Sequence, residues 1–127
     1  MERILIVDDD KDLRFNLSCI LKEAGHEVIA AGDGKQALNV FSRRVPDLVL
    51  LDIGLPGMDG VELLEAMKKI EKDLPIIMLT ARSDAKSAVK AMKSGAFDYI
   101  TKPFDNEELS LIIKKALHTQ NLMMSDN

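Results

Sequence analysis

The sequence of 127 residues predicts an α/β domain built on a five-stranded parallel sheet. Five apolar runs of strand length recur along the chain, and apolar residues at helical spacing follow each of them. The runs are nearly all apolar rather than alternating, which is typical of strands that helices cover on both faces of a sheet. Strands and helices that alternate in this way are joined by right-handed crossovers.

The predicted strands recur about every 20 to 28 residues along the chain. They cover residues 4–7, 28–31, 48–51, 76–79 and 97–100. The helical stripes cover residues 13–24, 37–41, 61–70, 85–92 and 109–117. Methionines within these stripes are interpreted as core residues. Asp10 or Asp12, and separately Asp33, are interpreted as helix N-caps.

The composition indicates a single globular domain and argues against two classes of partner. The net charge of -4 argues against a nucleic-acid-binding domain, which would usually carry a basic face. No apolar run approaches the length of about 18 residues that a membrane span needs, and no signal segment opens the chain. The single Cys19 is interpreted as a small buried hydrophobic residue in a reducing cytoplasm. Residues 1–118 form the predicted domain, and residues 119–127 form a polar tail, either a frayed end or the start of a linker.

Polar side chains with the chemistry of phosphoryl transfer follow the predicted strands. Asp8 and Asp9 follow the first strand, Asp52 the third, Thr80 the fourth and Lys102 the fifth. The functional crevice of an open α/β sheet lies beyond the carboxyl ends of its strands, so we expect these residues to converge there. This set suits the transfer of a phosphoryl group to a carboxylate with the help of Mg²⁺. The carboxylates would hold the ion and accept the group, and the ion, the lysine and the hydroxyl would position it and neutralise its charge. Taken singly, Thr80 is typical of a turn and Lys102 of a solvated surface charge, so the interpretation depends on their joint placement.

Four stretches, in this order and spacing, resemble the receiver domain of two-component response regulators. They are "ILIVDDD", "LVLLDIGLPGMDG", "IIMLTA" and "GAFDYITKPF", and the resemblance covers about residues 2–118. It implies a flavodoxin-like doubly wound sheet with the strand order 2-1-3-4-5 and five helices. It also implies that Asp52 is the phosphoacceptor and that Asp8, Asp9, Asp52 and the carbonyl of Gly54 hold Mg²⁺.

The resemblance further implies a switch in which Thr80 and Lys102 bind the phosphoryl group and Tyr99 changes rotamer. The changed surface would be that of the fourth helix, fifth strand and fifth helix, and the Lys102–Pro103 peptide bond would be cis. The residues two places after Asp52 and Thr80 are Gly54 and Arg82. Neither can act as a base, so we expect slow self-dephosphorylation.

The expected partners also come from this resemblance, which is strongest to receivers of transcription activators. They are a sensor histidine kinase, an effector domain (DNA-binding or ATPase) in a longer chain, and a second copy in a phosphorylation-dependent homodimer. The chemistry would be self-directed, without turnover of a separate substrate.

The strongest alternative is a small dinucleotide-binding α/β domain. Gly32, Gly34 and Ala37 have the G-x-G-x-x-A spacing, and Asp52 follows at the distance of a ribose-binding acid. Against it, Asp33 places a negative charge where a pyrophosphate would bind, and the fingerprint leaves the other polar strand ends unexplained.

Two further alternatives fail on single positions. A calcium loop with ligands Asp8, Asp10 and Asp12 would need glycine at Leu13 and glutamate at Cys19. A phosphatase of the haloacid dehalogenase type, with Asp8 as the nucleophile, would need threonine or valine where Asp12 stands.

Overall fold

The computed structural model describes residues 1–125, with side chains described for residues 1–120. The sheet consists of β1 (Arg3–Val7), β2 (Glu27–Ala31), β3 (Leu48–Asp52), β4 (Ile76–Thr80) and β5 (Asp98–Thr101). The strands are parallel and lie in the order β2-β1-β3-β4-β5. The predicted fold class and strand order are confirmed, and each predicted strand agrees with the structure to within one residue at either end.

Five helices connect and flank the strands. They are α1 (Lys11–Glu23), α2 (Gly34–Arg43), α3 (Gly60–Ile70), α4 (Ala85–Lys93) and α5 (Asn106–Ser125). A short 3-10 turn, Arg82–Asp84, precedes α4. The predicted N-caps are confirmed at Asp10, whose side chain accepts hydrogen bonds from the backbone N–H groups of Asp12 and Leu13, and at Asp33.

The helices bury the two faces of the sheet in two separate hydrophobic clusters. Because successive side chains of a strand point to opposite faces, Leu5 and Val7 of β1 join one cluster while Ile4 and Ile6 join the other. The first cluster contains core residues of α2, α3 and α4, and the second contains those of α1 and α5. Strands covered on both faces in this way account for the almost unbroken apolar runs in the sequence.

Several expectations about the helices are wrong in detail. Cys19 was expected in the core, but it is exposed on α1. In the stripe of α4, Val89 is 57% exposed and Met92 is 39% exposed, so only part of that stripe packs on the sheet. An apolar stripe wider than the contact with the sheet leaves its flanks in solvent.

The last helix continues past the end of its apolar periodicity. α5 extends to Ser125, so the domain boundary predicted after residue 118 falls inside a helix, and that boundary stays a prediction. Residues 126 and 127 of the expected tail lie outside the described residues. Within the described part of the chain, every helix is too short or too polar to cross a membrane.

Candidate functional site

The predicted site residues come together at the carboxyl edge of the sheet. Asp8 follows β1 directly, Asp52 and Thr80 end β3 and β4, and Lys102 follows β5. The parallel register places Asp52 beside Leu79 and Thr80 beside Thr101. The three polar residues at the strand ends are buried, with 0% of the surface of Asp8, 7% of Asp52 and 2% of Thr80 exposed. Buried polar groups of this kind need partners, which the neighbouring side chains and backbone supply.

Lys102 links two of the buried carboxylates. Its Nζ donates a hydrogen bond of 2.8 Å to Asp8 Oδ2 and lies 3.5 Å from Asp52 Oδ1. Asp52 Oδ1 also accepts a 3.0 Å hydrogen bond from the backbone N–H of Gly54. Among the described residues, no hydrogen bond reaches Asp52 Oδ2, which leaves this oxygen available for chemistry.

The electrostatics of the site favour a reactive carboxylate. Burial raises the pKa of Asp52 above its usual 3.8, and the charge of Asp8 adds to this, while the Gly54 N–H and Lys102 oppose it. Burial opposes the charge on Lys102, but the hydrogen bond and the charge of Asp8, followed by Asp52, outweigh burial and raise the pKa of Lys102 above 10.5. At neutral pH the site therefore holds a charged lysine beside carboxylates whose negative charge is incompletely balanced.

Three carboxylates form a group that could hold a metal ion. Asp8, Asp9 and Asp52 each offer an oxygen, and these oxygens lie within 4.8 Å of one another. Asp9 is exposed, so the group opens to solvent on one side. Hard divalent cations such as Mg²⁺ prefer oxygen ligands and retain several waters, so the donor set and the open side fit such an ion.

The residues of the expected switch line a common cavity. Thr80, Tyr99 and Lys102 border a cavity of about 560 Å³ between β4, β5 and α4. The Thr80 hydroxyl donates a 3.0 Å hydrogen bond to the carbonyl of Ala81, and Tyr99 is 45% exposed. The Lys102–Pro103 peptide bond is cis, as the resemblance implies. Arg82 also lines the cavity and is exposed.

Two residues that hold the ends of β1 and β3 in place, Arg14 and Gly60, were not identified from the sequence. The Nη1 of Arg14, on α1, donates a 2.7 Å hydrogen bond to the carbonyl of Asp8, which fixes the end of β1. A Cβ on Gly60 would lie 2.7 Å from the carbonyl oxygen of Asp52 and 2.7 Å from Ile53 Cα, so only glycine allows α3 to approach β3 this closely. A glycine at the start of a helix is the one signal that could have pointed to Gly60.

The structure gives little support to the dinucleotide alternative. The Asp33 side chain accepts a hydrogen bond from the Gln36 backbone N–H, so Asp33 caps α2 rather than facing a ligand. A Cβ on Gly34 would lie 2.6 Å from Met58 Sδ, so this glycine allows close packing against Met58. The fingerprint spacing therefore has a local structural reason.

A comparison with known protein families matches this arrangement. A family model described as the response regulator receiver domain covers residues 4–114. The chain belongs to the receiver domain family of response regulators. The predicted family, fold and receiver function are confirmed, and the dinucleotide alternative is not favoured.

Individual receivers and regulators resemble this chain over most of its length. Regulatory protein AtoC of Escherichia coli (strain K12) is 43% identical over 122 residues, which are 96% of this chain and 26% of that protein. Sporulation initiation phosphotransferase F of Bacillus subtilis (strain 168) is 39% identical over 91% of this chain and 94% of its own length. The receiver domain of NtrX from Brucella abortus superimposes with a TM-score of 0.88 at 42% identity, over 91% of this chain and 98% of that one.

Many of the matched regulators are longer than this receiver domain. The chain spans 26% to 52% of the length of the first three curated regulators that it matches.

Proposed function

We propose that this receiver domain accepts a phosphoryl group on Asp52 from a sensor histidine kinase, in the presence of Mg²⁺. The observation that carries the proposal is the position of Lys102, whose Nζ contacts both Asp8 and Asp52 while Asp52 Oδ2 stays without a hydrogen bond among the described residues. A carboxylate with a raised pKa and an unengaged oxygen is suited to act as a nucleophile.

In the proposed transfer, Asp52 Oδ2 attacks the phosphorus of a phosphohistidine on the kinase. A P–O bond forms as the P–N bond breaks, and the imidazole leaves with the electron pair. Lys102 neutralises charge on the phosphoryl oxygens, and the Thr80 hydroxyl turns from the Ala81 carbonyl to donate a hydrogen bond to one of them. Mg²⁺ held by Asp8, Asp9, Asp52 and the Gly54 carbonyl would supply further neutralisation of that charge.

Incubation with Mg²⁺ and acetyl phosphate tests the acceptor. The wild type should gain one phosphoryl group by intact mass, and Asp52→Asn should gain none. Asp59→Asn is the matched control, because Asp59 is a nearby aspartate whose side chain caps α3 through the Val61 N–H. Labelling of Asp52→Asn to the wild-type level would refute the acceptor assignment. Binding of NAD without any Mg²⁺ requirement would favour the dinucleotide alternative instead.

The proposed output of phosphorylation is a change at the surface of α4, β5 and α5. Thr80 moves toward the phosphoryl group in one state only, and Tyr99, now 45% exposed, gains room to enter the cavity that both residues line. Beryllofluoride should therefore shift the amide resonances around Tyr99 in the wild type and leave them unchanged in Thr80→Ala. If the wild-type resonances also stay unchanged, the switch is wrong.

The same surface is the proposed contact in a phosphorylation-dependent homodimer. It carries exposed apolar side chains at Val89, Met92 and Leu111. Beryllofluoride should raise the sedimentation coefficient of the wild type, and Val89→Glu should prevent the rise without reducing beryllofluoride binding. An unchanged sedimentation coefficient of the wild type would remove the dimer from the proposal.

The remaining partners are proposed from the relatives. MtrA of Mycobacterium leprae is named a DNA-binding response regulator, and the chain covers 51% of its length. A DNA-binding or ATPase effector domain in a longer chain is accordingly proposed, in the cytoplasm, with no direct contact of this domain to nucleic acid. The activity of this domain is limited to its own phosphorylation and dephosphorylation.

A further inference from the structure

One helix of this domain has an aspartate at its start that does not cap it. The helices α1, α2 and α3 begin after Asp10, Asp33 and Asp59, and each of these side chains accepts a backbone N–H of its own helix. Asp105 does the same for Glu108 of α5. The fifth aspartate, Asp84, occupies the N-cap position of α4, but its side chain makes no capping hydrogen bond. The capping contact that stabilises the start of the other helices is therefore absent here.

The Asp84 carboxylate instead borders the space beside Gly54, which Asp52 Oδ1 also borders. Gly54 has no side chain, and a Cβ built on it would lie 3.9 Å from Asp84 Oδ2 and 3.8 Å from Asp52 Oδ1. The two oxygens thus face the same gap, each within 4 Å of one point. Asp84 is partly buried and stands outside the group formed by Asp8, Asp9 and Asp52.

No basic side chain among the described residues forms an ion pair with Asp84. Lys102 pairs with Asp8 and Asp52. Like charges repel, and a phosphoryl group on Asp52 adds negative charge to the side chain whose Oδ1 borders the same gap. The backbone N–H groups at the start of α4 offer a nearby position in which a carboxylate is stabilised by hydrogen bonds and by the helix dipole.

We propose that Asp84 is a positioning residue that links the charge on Asp52 to the first turn of α4. With Asp52 unmodified, Asp84 faces the gap over Gly54. With Asp52 phosphorylated, repulsion moves the carboxylate to the N–H groups of Lys86 or Ser87, and α4 becomes capped. The inference depends on the proposed acceptor role of Asp52, but it uses repulsion on the Gly54 side of the site and does not involve the cavity between Thr80 and Tyr99.

The affinity for beryllofluoride at saturating Mg²⁺ tests the electrostatic half of this proposal. Asp84→Asn removes the charge and keeps an oxygen that can cap, so it should bind beryllofluoride about three- to tenfold more tightly than the wild type. The difference should shrink at high ionic strength, because salt screens a partly exposed charge. Asp33→Asn is the matched control: it neutralises an aspartate at a helix start whose side chain already caps, and its affinity should equal that of the wild type.

Amide hydrogen exchange at Lys86 and Ser87 tests the capping half. Beryllofluoride should slow exchange at one of these amides in the wild type. In Asp84→Asn exchange should be slow already without beryllofluoride, and in Asp84→Ala it should stay fast with or without it.

Equal affinities of the wild type and Asp84→Asn would overturn the proposal, and so would unchanged exchange at both amides of the wild type. A wild type that does not bind beryllofluoride at all would refute the acceptor role of Asp52 as well. The two failures are therefore distinguishable in the same experiment.

Discussion

The two edges of the sheet use charged residues in opposite ways. At the carboxyl edge, Lys102 contacts Asp8 and Asp52, whose side chains are 1% and 10% exposed. At the amino edge, Arg3 pairs with Glu27 across β1 and β2, and the Glu27 side chain is 41% exposed. At both edges a cation pairs with carboxylates from other strands, but only at the carboxyl edge are those carboxylates buried.

The pKa values of the carboxyl groups show the consequence. Burial raises the pKa of Asp52, so its charged form is less stable in the folded protein than in water. The hydrogen bond from Arg3 lowers the pKa of Glu27, so its charged form is more stable in the fold. The charge of Glu27 at the amino edge therefore stabilises the strand pairing, whereas the charge of Asp52 at the carboxyl edge reduces stability and is explained by function.

The largest effect is expected from Gly60→Ala, because its methyl group would collide with the end of β3 at the carboxyl edge of the sheet. The new Cβ would meet backbone atoms of Asp52 and Ile53 at 2.7 to 2.8 Å, and backbone cannot move aside as a flexible side chain can. We expect a loss of about 3 kcal/mol in the free energy of unfolding and weaker beryllofluoride binding, because the end of β3 must shift.

Gly25→Ala is the matched control at the amino end of β2. Its φ of 93° disfavours a side chain, but a Cβ there meets nothing within 4 Å. It should lose only about 1 kcal/mol and bind beryllofluoride normally. Urea unfolding and beryllofluoride titration measure both variants, and equal losses in both would show that the approach of α3 to β3 is not tight.

Asp52→Asn should have the opposite sign and stabilise the protein in the absence of divalent cations. A carboxyl group whose folded pKa is raised contributes stability below its unfolded pKa and loses it as pH rises through the folded pKa. At pH 7 the wild type has lost this contribution, so the variant should gain about 1 to 2 kcal/mol. The gain should disappear below the usual pKa of 3.8, where Asp52 is protonated in both states.

Mg²⁺ provides the control for this prediction. An ion that binds only the folded state stabilises it, so Mg²⁺ should stabilise the wild type more than Asp52→Asn and narrow the gap between them. Urea unfolding at pH 7 with and without Mg²⁺ measures this. A variant less stable than the wild type without Mg²⁺ would mean that Lys102 compensates Asp52 fully, and the contrast between the edges would fail.

The same contrast explains which features could be predicted from sequence. Strands buried on both faces leave an unbroken apolar signal, so their bounds and the polar residues after them were located within a residue. Side-chain direction carries no such signal. Val89 and Cys19 fit helical stripes and yet face solvent, because periodicity shows a face but not how much of it the sheet covers.

The least predictable part of the site depends on contacts between elements distant in sequence. The sequence indicates Arg82, two places after Thr80, as a residue that affects loss of the phosphoryl group. In the structure, however, it is the carboxylate of Asp84 that lies within 4 Å of a Cβ built on Gly54. In the sequence, Asp84 precedes an apolar helical stripe just as Asp10 and Asp33 do. Only the direction of its side chain distinguishes it.

The smallest effect is expected at the amino edge, from Glu27→Gln. Because the hydrogen bond from Arg3 lowers the pKa of Glu27, the pair contributes stability above the usual value of 4.5 and loses it as pH falls through the folded pKa. The variant should therefore be slightly less stable than the wild type at pH 7 and equally stable at strongly acidic pH. The difference should be smaller than that for Asp52→Asn and of opposite sign, since an exposed ion pair contributes little and is screened by salt. Urea unfolding between pH 7 and pH 3 would measure it, with exposed Glu23→Gln on α1 as the control. A difference that grows toward acidic pH would show that the fold raises the pKa of Glu27, as it raises that of Asp52. The two edges would then be alike.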